Sequence, residues 1–121
     1  MFSVKIDVVH GVLELHLSGA LTENQLSDLA QELNSVFSSM PDPPAAVLFD
    51  RKTTKPINQH VTLLMSRVFE IVKESSARRI ADVGSANLTN ITYDERSRRF
   101  ESEDDARRWL FQLSAPPKPA E

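Results

Sequence analysis

The 121-residue sequence contains no cysteine and only three glycines. Without cysteine the chain cannot form a disulfide framework, a thiol nucleophile, a CxxC redox pair or a thiolate zinc site. With so few glycines, neither a G-x-G-x-x-G pattern nor a Walker pattern can be written, so phosphate-cradling loops of those types are excluded. No G-x-S-x-G nucleophile elbow occurs either.

Long apolar runs and an excess of positive charge are also absent. The apolar runs cover only a few residues, whereas about 20 are needed to span a bilayer. Lys5 and Asp7 interrupt the first apolar segment, so we expect no signal peptide. Fourteen basic and 17 acidic side chains give a formal net charge of −3, so no global positive field attracts nucleic acid or an anionic membrane. We therefore predict a cytoplasmic protein that neither spans a membrane nor binds nucleic acid.

Alternating apolar residues predict two short strands at the beginning of the chain. Val4, Ile6 and Val8 share one side of an extended segment, and residues 12–17 alternate in the same way. Because His10-Gly11 between them is a turn signal, the pattern predicts a β-hairpin.

Apolar residues at helical spacing predict three helices. Thr22 and Gln25 have the spacing of a capping box at the start of the first, and the prolines of residues 41–44 must end it. The second helix is predicted from residue 57 to about residue 75, and the third begins after Ser102. In the third helix we expect Trp109 to anchor the helix on the sheet.

Short apolar runs predict strands over residues 45–49 and 79–83, and residues 98–100 could form a short edge strand. Residues 51–56 are polar and are predicted to form a loop, while residues 85–96 fit either a helix or an irregular loop. The order of elements predicts an α/β fold, with a small mixed sheet, an opening hairpin and helices packed mainly on one face. We expect one domain over residues 1–113 and a disordered, proline-rich tail over residues 114–121.

The candidate metal and acid–base groups are few. His10, His16 and His60 are not spaced to converge, so we interpret them as solvated side chains and predict no metal site. Asp50 follows a central strand, at the edge where open α/β sheets often bind ligands. It can equally accept hydrogen bonds from the following backbone, and this second interpretation is favoured.

Basic residues cluster in three segments even though the net charge is negative. They occupy positions 51, 52 and 55, positions 78 and 79, and positions 96, 98 and 99. Such a patch could bind phosphate groups or an acidic partner. A solvated surface, in which the charges alternate with glutamates, is the favoured interpretation.

Three motifs in this order resemble a known family. The opening hairpin is followed by GALTENQLSDLAQEL and a buried strand that ends in aspartate, then by ARRIADVGSANL, and finally by RRFESEDDARRWL. Over residues 2–113 this resembles the STAS domain of anti-sigma factor antagonists, and the last motif resembles the SpoIIAA-like branch. The resemblance implies a STAS-like fold and a non-enzymatic regulatory module that binds a protein partner or associates with itself as a homodimer.

The position of the family's phosphorylation switch is altered in this sequence. Members regulated by phosphorylation carry an Asp-Ser pair at the start of the helix after the third strand, and Asn58 and Gln59 take those places here. Because Gln59 has no hydroxyl, we expect the usual switch to be absent. A displaced phosphosite among the nearby threonines is the less favoured alternative.

The resemblance places a partner-binding surface after the third strand. The residues assigned to it are Asp50, Arg51, Lys52, Thr53, Thr54, Asn58, Gln59 and Thr62. We expect charge reversal at Arg51 and Lys52 to weaken partner binding without loss of thermal stability. No catalytic residue, metal or cofactor is predicted. The alternative function is a SpoIIAA-like domain that binds a small ligand or lipid in an apolar cavity between helices and sheet, and an enzyme is a third and weaker hypothesis.

Overall fold

The computed structural model describes residues 1–40, 44–55, 59–85 and 91–111. These residues form five strands and three helices, in the order β1 (Phe2–Asp7), β2 (Val12–Ala20), α1 (Glu23–Ser39), β3 (Ala46–Lys55), α2 (Gln59–Glu74), β4 (Arg79–Val83), β5 (Ser97–Phe100) and α3 (Glu103–Phe111). Asn58 and the predicted tail lie outside the described residues. So do residues 86–90 of the segment with two interpretations, and its residues 91–96 are not helical.

The strands form one mixed sheet in the order β1-β2-β3-β4-β5. The pair β1–β2 is antiparallel, whereas β2–β3, β3–β4 and β4–β5 are parallel. This confirms the opening hairpin and the mixed α/β sheet that the alternating patterns predict. No helix among the described residues combines the length and apolar composition that crossing a membrane requires.

The predicted polar loop at residues 51–56 is wrong, because β3 continues to Lys55. After a register shift in β2, Ser18 pairs with Thr53, Gly19 with Thr54 and Ala20 with Lys55. This part of the β2–β3 pair extends beyond the last pairings with β1 and β4. Because this end of β3 pairs only with β2, its side chains need not cover an apolar core, and polar residues are tolerated there. The polar composition is why the sequence pattern predicts a loop instead of a strand.

Two apolar cores lie on opposite faces of the sheet. The larger core contains Leu15 and Phe49 of the sheet together with Leu29 of α1 and Phe69 of α2. On the other face, residues such as Leu48 pack against α3. Two helices therefore share one face, and the third covers the opposite one.

Trp109 is half-buried where α3 meets the sheet, as the helical spacing predicts. Its ring lies 5.5 Å from that of Phe100, and the guanidinium of Arg79 lies 4.8 Å from its ring centroid. Arg79 also donates a hydrogen bond to the Trp109 carbonyl. A cation stacked on the indole thus adds to the apolar packing that holds α3.

The predicted capping box is present at the start of α1. The backbone N–H of Gln25 donates to Thr22 Oγ1 at 3.2 Å, and the backbone N–H of Thr22 donates to the side-chain oxygen Oε1 of Gln25 at 3.1 Å.

We expect Thr22→Ala to lower the free energy of unfolding by about 1 kcal/mol, because the backbone N–H at the third helical position loses its acceptor. Urea denaturation measures the loss, with Ser27→Ala on the exposed side of α1 as the control. Equal stability of the two variants would contradict the role of the box.

Candidate functional site

The predicted partner-binding residues lie at the carboxyl end of β3 and the start of α2. We call the described members of this set, residues 50–54, 59 and 62, the β3–α2 surface. Lys52, Thr53 and Gln59 are exposed, whereas Asp50 and Thr62 are half-buried. The structure therefore places these residues on the edge of the sheet at which the parallel strands end.

Asp50 uses both carboxylate oxygens. Its Oδ1 accepts a hydrogen bond of 3.1 Å from the Lys52 amide, and its Oδ2 lies 3.3 Å from His16 Nδ1 on β2. The first contact confirms the favoured interpretation of Asp50 as an acceptor for the backbone that follows it. The second contact depends on the β2–β3 register, in which His16 is the neighbour of Asp50.

Arg51 belongs to a buried ionic network. Its Nε and Nη2 donate to the two carboxylate oxygens of Asp82 at 2.8 and 2.9 Å, which is the bidentate geometry of strong charge-assisted hydrogen bonds. The side chain of Arg51 is 10% exposed and that of Asp82 is fully buried. Tyr93 donates a further hydrogen bond to Asp82. The pair thereby ties the carboxyl ends of β3 and β4 together.

The charge of Arg51 is stabilised by this network. Burial alone would lower its pKa, but the hydrogen bonds and charge attraction of Asp82, with a smaller contribution from Tyr93, leave the pKa raised above its ordinary value. The guanidinium is thus held in its charged form beside a buried carboxylate.

Gly84 leaves the space that the guanidinium of Arg51 occupies. A Cβ atom at this position would lie 2.5 Å from Arg51 Cζ, which is far inside van der Waals contact. Because Arg51 is buried and paired, the expectation that reversing its charge leaves thermal stability unchanged is wrong. The reversal would place two carboxylates together in the core.

The hydroxyls of the two neighbouring threonines donate hydrogen bonds to backbone carbonyls. Thr53 Oγ1 donates to the Leu17 carbonyl at 3.4 Å, and Thr54 Oγ1 donates to the Arg51 carbonyl at 2.6 Å. Lys52, which lies between Arg51 and Thr53 in the chain, is exposed. Of the two predicted cations, Lys52 is therefore the one that presents its charge to solvent.

Gln59 is the first residue of α2 and is exposed. The position at which the resemblance expects a phosphorylatable serine is thus accessible, but it carries an amide rather than a hydroxyl. Asn58, its predicted companion, lies outside the described residues.

In the other predicted basic clusters Arg78 and Arg98 are exposed, whereas the remaining arginines are half-buried. Arg96 donates to the carbonyls of Lys73, Ser75 and Ala77, where α2 ends and the chain turns toward β4. Arg99 donates to the Gly84 carbonyl. Arg79 likewise contacts α3, so most of these arginines form hydrogen bonds between different parts of the fold. The charge pattern of the sequence alone does not predict these contacts.

His16 is also misread from the sequence as a solvated side chain. It is 27% exposed, and its two ring nitrogens lie near the carboxylates of Glu14 and Asp50. Arg107 of α3 donates to both oxygens of Glu14, and this hydrogen bond is the main reason that the pKa of Glu14 is lowered. Only the alternation of Glu14 and His16 on one strand face hints at this arrangement.

The alternative of a ligand cavity between helices and sheet finds no direct support among the described residues. Two grooves that the described residues line lie on the helices. One, of about 310 Å³, lies at the ends of α1 and α2 beside Phe37, Met40 and Glu74, and another, of about 220 Å³, lies on α2 beside Leu63 and Arg67. Residues between helix and sheet such as Leu29 and Phe69 are fully buried.

Comparisons with known proteins show a similarity to solved structures. No protein-family model matches the chain, and no curated protein has a significantly similar sequence. Among solved structures, the chain is similar to an uncharacterized protein of the DUF3478 family with a SpoIIAA-like fold from Shewanella loihica PV-4. The match has a TM-score of 0.62 at 18% sequence identity and covers 91% of this chain and 92% of the other. The topology and this similarity together show that the chain has a SpoIIAA-like fold.

Proposed function

We propose that this domain is a non-enzymatic regulatory module that binds a protein partner through the β3–α2 surface. One observation carries the proposal: exposed polar side chains stand on a backbone that a buried ion pair holds in place. Lys52 and Thr53 are presented by β3 and Gln59 by α2. Arg51, between Asp50 and Lys52 in the chain, is anchored to Asp82 behind them.

A surface of this kind suits recognition because its shape exists before the partner arrives. Binding then costs less conformational entropy than it would on a loop that must first become ordered. The backbone pairing of residues 53–55 with β2 adds to this rigidity. A charged lysine beside neutral polar groups favours a partner with complementary acidic side chains.

The glutamine at position 59 bears on regulation. In the family that the sequence resembles, a hydroxyl at this place allows phosphorylation to control binding. Because an amide cannot be phosphorylated, we propose that partner binding here does not depend on a kinase acting at this position.

We expect Lys52→Glu to weaken partner binding at least tenfold, since reversing one charge at an interface replaces attraction by repulsion, with a cost above about 1.4 kcal/mol. The first step replaces Gln59 by a photo-crosslinking amino acid and identifies the proteins captured in a lysate of the source organism. Glu32, which is exposed on α1, is the control position for the same crosslinker. Calorimetry with the purified partner then measures the affinity of each variant.

Lys5→Glu is the matched control for Lys52→Glu, because Lys5 is exposed on β1, away from β3. The proposal requires that Lys5→Glu bind like the unmodified chain. Equal affinities for both lysine variants, or the same crosslinked proteins at positions 59 and 32, would show that the partner uses another surface.

A further inference from the structure

An imidazole and two carboxylates converge where α3 begins over the sheet. His16 comes from β2, Asp50 from β3 and Glu103 from the first residue of α3, and one ligand atom of each lies within 4.8 Å of the others. We call these three residues the His16 cluster. It lies on the face of the sheet opposite α1 and α2, and its residues are far apart in the sequence.

One pair of donor atoms in the His16 cluster has the spacing of ligands that share one metal ion. His16 Nδ1 and Asp50 Oδ2 are 3.3 Å apart. Two donors that each bind a zinc ion at about 2.0–2.2 Å in tetrahedral geometry stand about 3.3–3.6 Å from each other. Nitrogen and carboxylate oxygen are donors that Zn²⁺ and neighbouring transition metals accept.

The second ring nitrogen of His16 is held by a group outside the cluster. His16 Nε2 lies 2.9 Å from Glu14 Oε1. If the neutral ring donates its Nε2 proton to Glu14, Nδ1 carries the lone pair and faces the carboxylate of Asp50. Two acceptors at this distance are stabilised by a cation between them. A carboxylate behind the ring is also how proteins commonly orient a metal-binding histidine.

The local charge balance favours a divalent cation. Three carboxylates surround His16, those of Glu14, Asp50 and Glu103, and one guanidinium, that of Arg107, contacts Glu14 and Glu103. With a neutral imidazole the group carries a net charge of −2 (−3 from the carboxylates and +1 from Arg107), which a divalent ion balances.

The His16 cluster is both supported and accessible. Glu14 is mostly buried, and Arg107 clamps it with hydrogen bonds of 2.7 and 3.2 Å. The side chain of Glu103 is 39% exposed, so an ion can enter from solvent and keep water in its remaining positions. Metal sites with free coordination positions generally combine ligands that are held by supporting hydrogen bonds with access from solvent.

We propose that His16, Asp50 and Glu103 bind one divalent transition-metal ion, of which Zn²⁺ is the probe of choice. The ion ties the start of α3 to β2 and β3, and the site shares Asp50 with the β3–α2 surface. This inference goes beyond the proposed function, and its test needs no protein partner.

The experiment titrates the metal-stripped full-length chain with Zn²⁺ by calorimetry and records the visible spectrum with Co²⁺ as a second probe. We expect one ion per chain and a cobalt spectrum typical of nitrogen and oxygen ligands. Glu103→Gln should weaken binding at least about tenfold, because one charged ligand is lost. Its matched control is Asp104→Asn, which removes the same charge from the next residue of the same helical turn, where the side chain is exposed.

The histidine variants make the test specific. His16→Asn should abolish the cobalt spectrum, whereas His60→Ala should leave it unchanged, because His60 is exposed beside Glu23. Circular dichroism verifies that each variant is folded, and Glu103→Gln decides the matter if His16→Asn does not fold. The proposal is overturned if the chain binds neither metal at submillimolar concentration, or if Glu103→Gln and Asp104→Asn bind equally well.

Discussion

Asp82→Asn is expected to lower the free energy of unfolding by about 3–5 kcal/mol, the usual cost of breaking a buried ion pair by removing one partner. The substitution preserves the shape of the side chain but leaves Arg51, 10% exposed, without its counter-charge. It also weakens the hydrogen bond that Tyr93 donates. Since small domains are stable by only about 5–15 kcal/mol, this is a large share of the total. Guanidinium chloride denaturation measures it.

Two further variants establish that the loss comes from the unpaired charge. Asp28→Asn, on the exposed side of α1, should change stability by less than about 0.5 kcal/mol. The double variant Arg51→Met/Asp82→Leu should recover most of the loss, because apolar residues of similar volume can replace a buried ion pair at little cost. If Asp82→Asn is as stable as Asp28→Asn, the pair does not hold β3 and β4 together.

Phe69→Ala has a comparable expected effect, about 3–5 kcal/mol, because it removes a fully buried ring from the larger core and leaves a cavity. The ring of Phe69 lies 5.5 Å from that of Phe49 in an edge-on arrangement and 5.8 Å from that of Tyr93. It therefore links α2 to the centre of the sheet. The same denaturation experiment measures the loss.

Val9→Ala is the control for Phe69→Ala, since Val9 is 89% exposed and its truncation should change stability by less than about 0.5 kcal/mol. Phe69→Leu should cost less than Phe69→Ala because it retains much of the volume. A Phe69→Ala variant that loses under about 1 kcal/mol would contradict this packing.

The two substitutions are also expected to be coupled. Phe69 contacts the ring of Tyr93, whose hydroxyl donates to Asp82. A double-mutant cycle of Phe69→Ala and Asp82→Asn should therefore show non-additivity of about 0.5–3 kcal/mol. Strict additivity would mean that Tyr93 does not transmit the loss of one contact to the other.

The elements themselves could be predicted well from local patterns. Period-two alternation located β1 and β2, helical spacing located α1, α2 and α3, and the capping box at Thr22 is present as expected. The order of the motifs also supported the correct fold. The end of β3 was missed, because polar residues that pair beyond the other strands look like a loop.

The candidate site was predicted less completely. Its location at the end of β3 follows from the resemblance and stays a prediction; Lys52 and Gln59 are exposed there. Arg51 looked like a free surface charge, however, because nothing local indicates that Asp82 is its partner. His16 looked solvated for the same reason.

By itself, the sequence determined the absence of thiol chemistry, the alternation of strands and helices, and the amide that replaces a hydroxyl at Gln59. These follow from composition and from periodicities within single elements. Only the tertiary structure decided which charges meet: Arg51 with Asp82, and His16 with Asp50 and Glu103. The physical reason is that these contacts depend on strand order and register and on where α3 packs, and burial then decides how strongly each charge needs a partner.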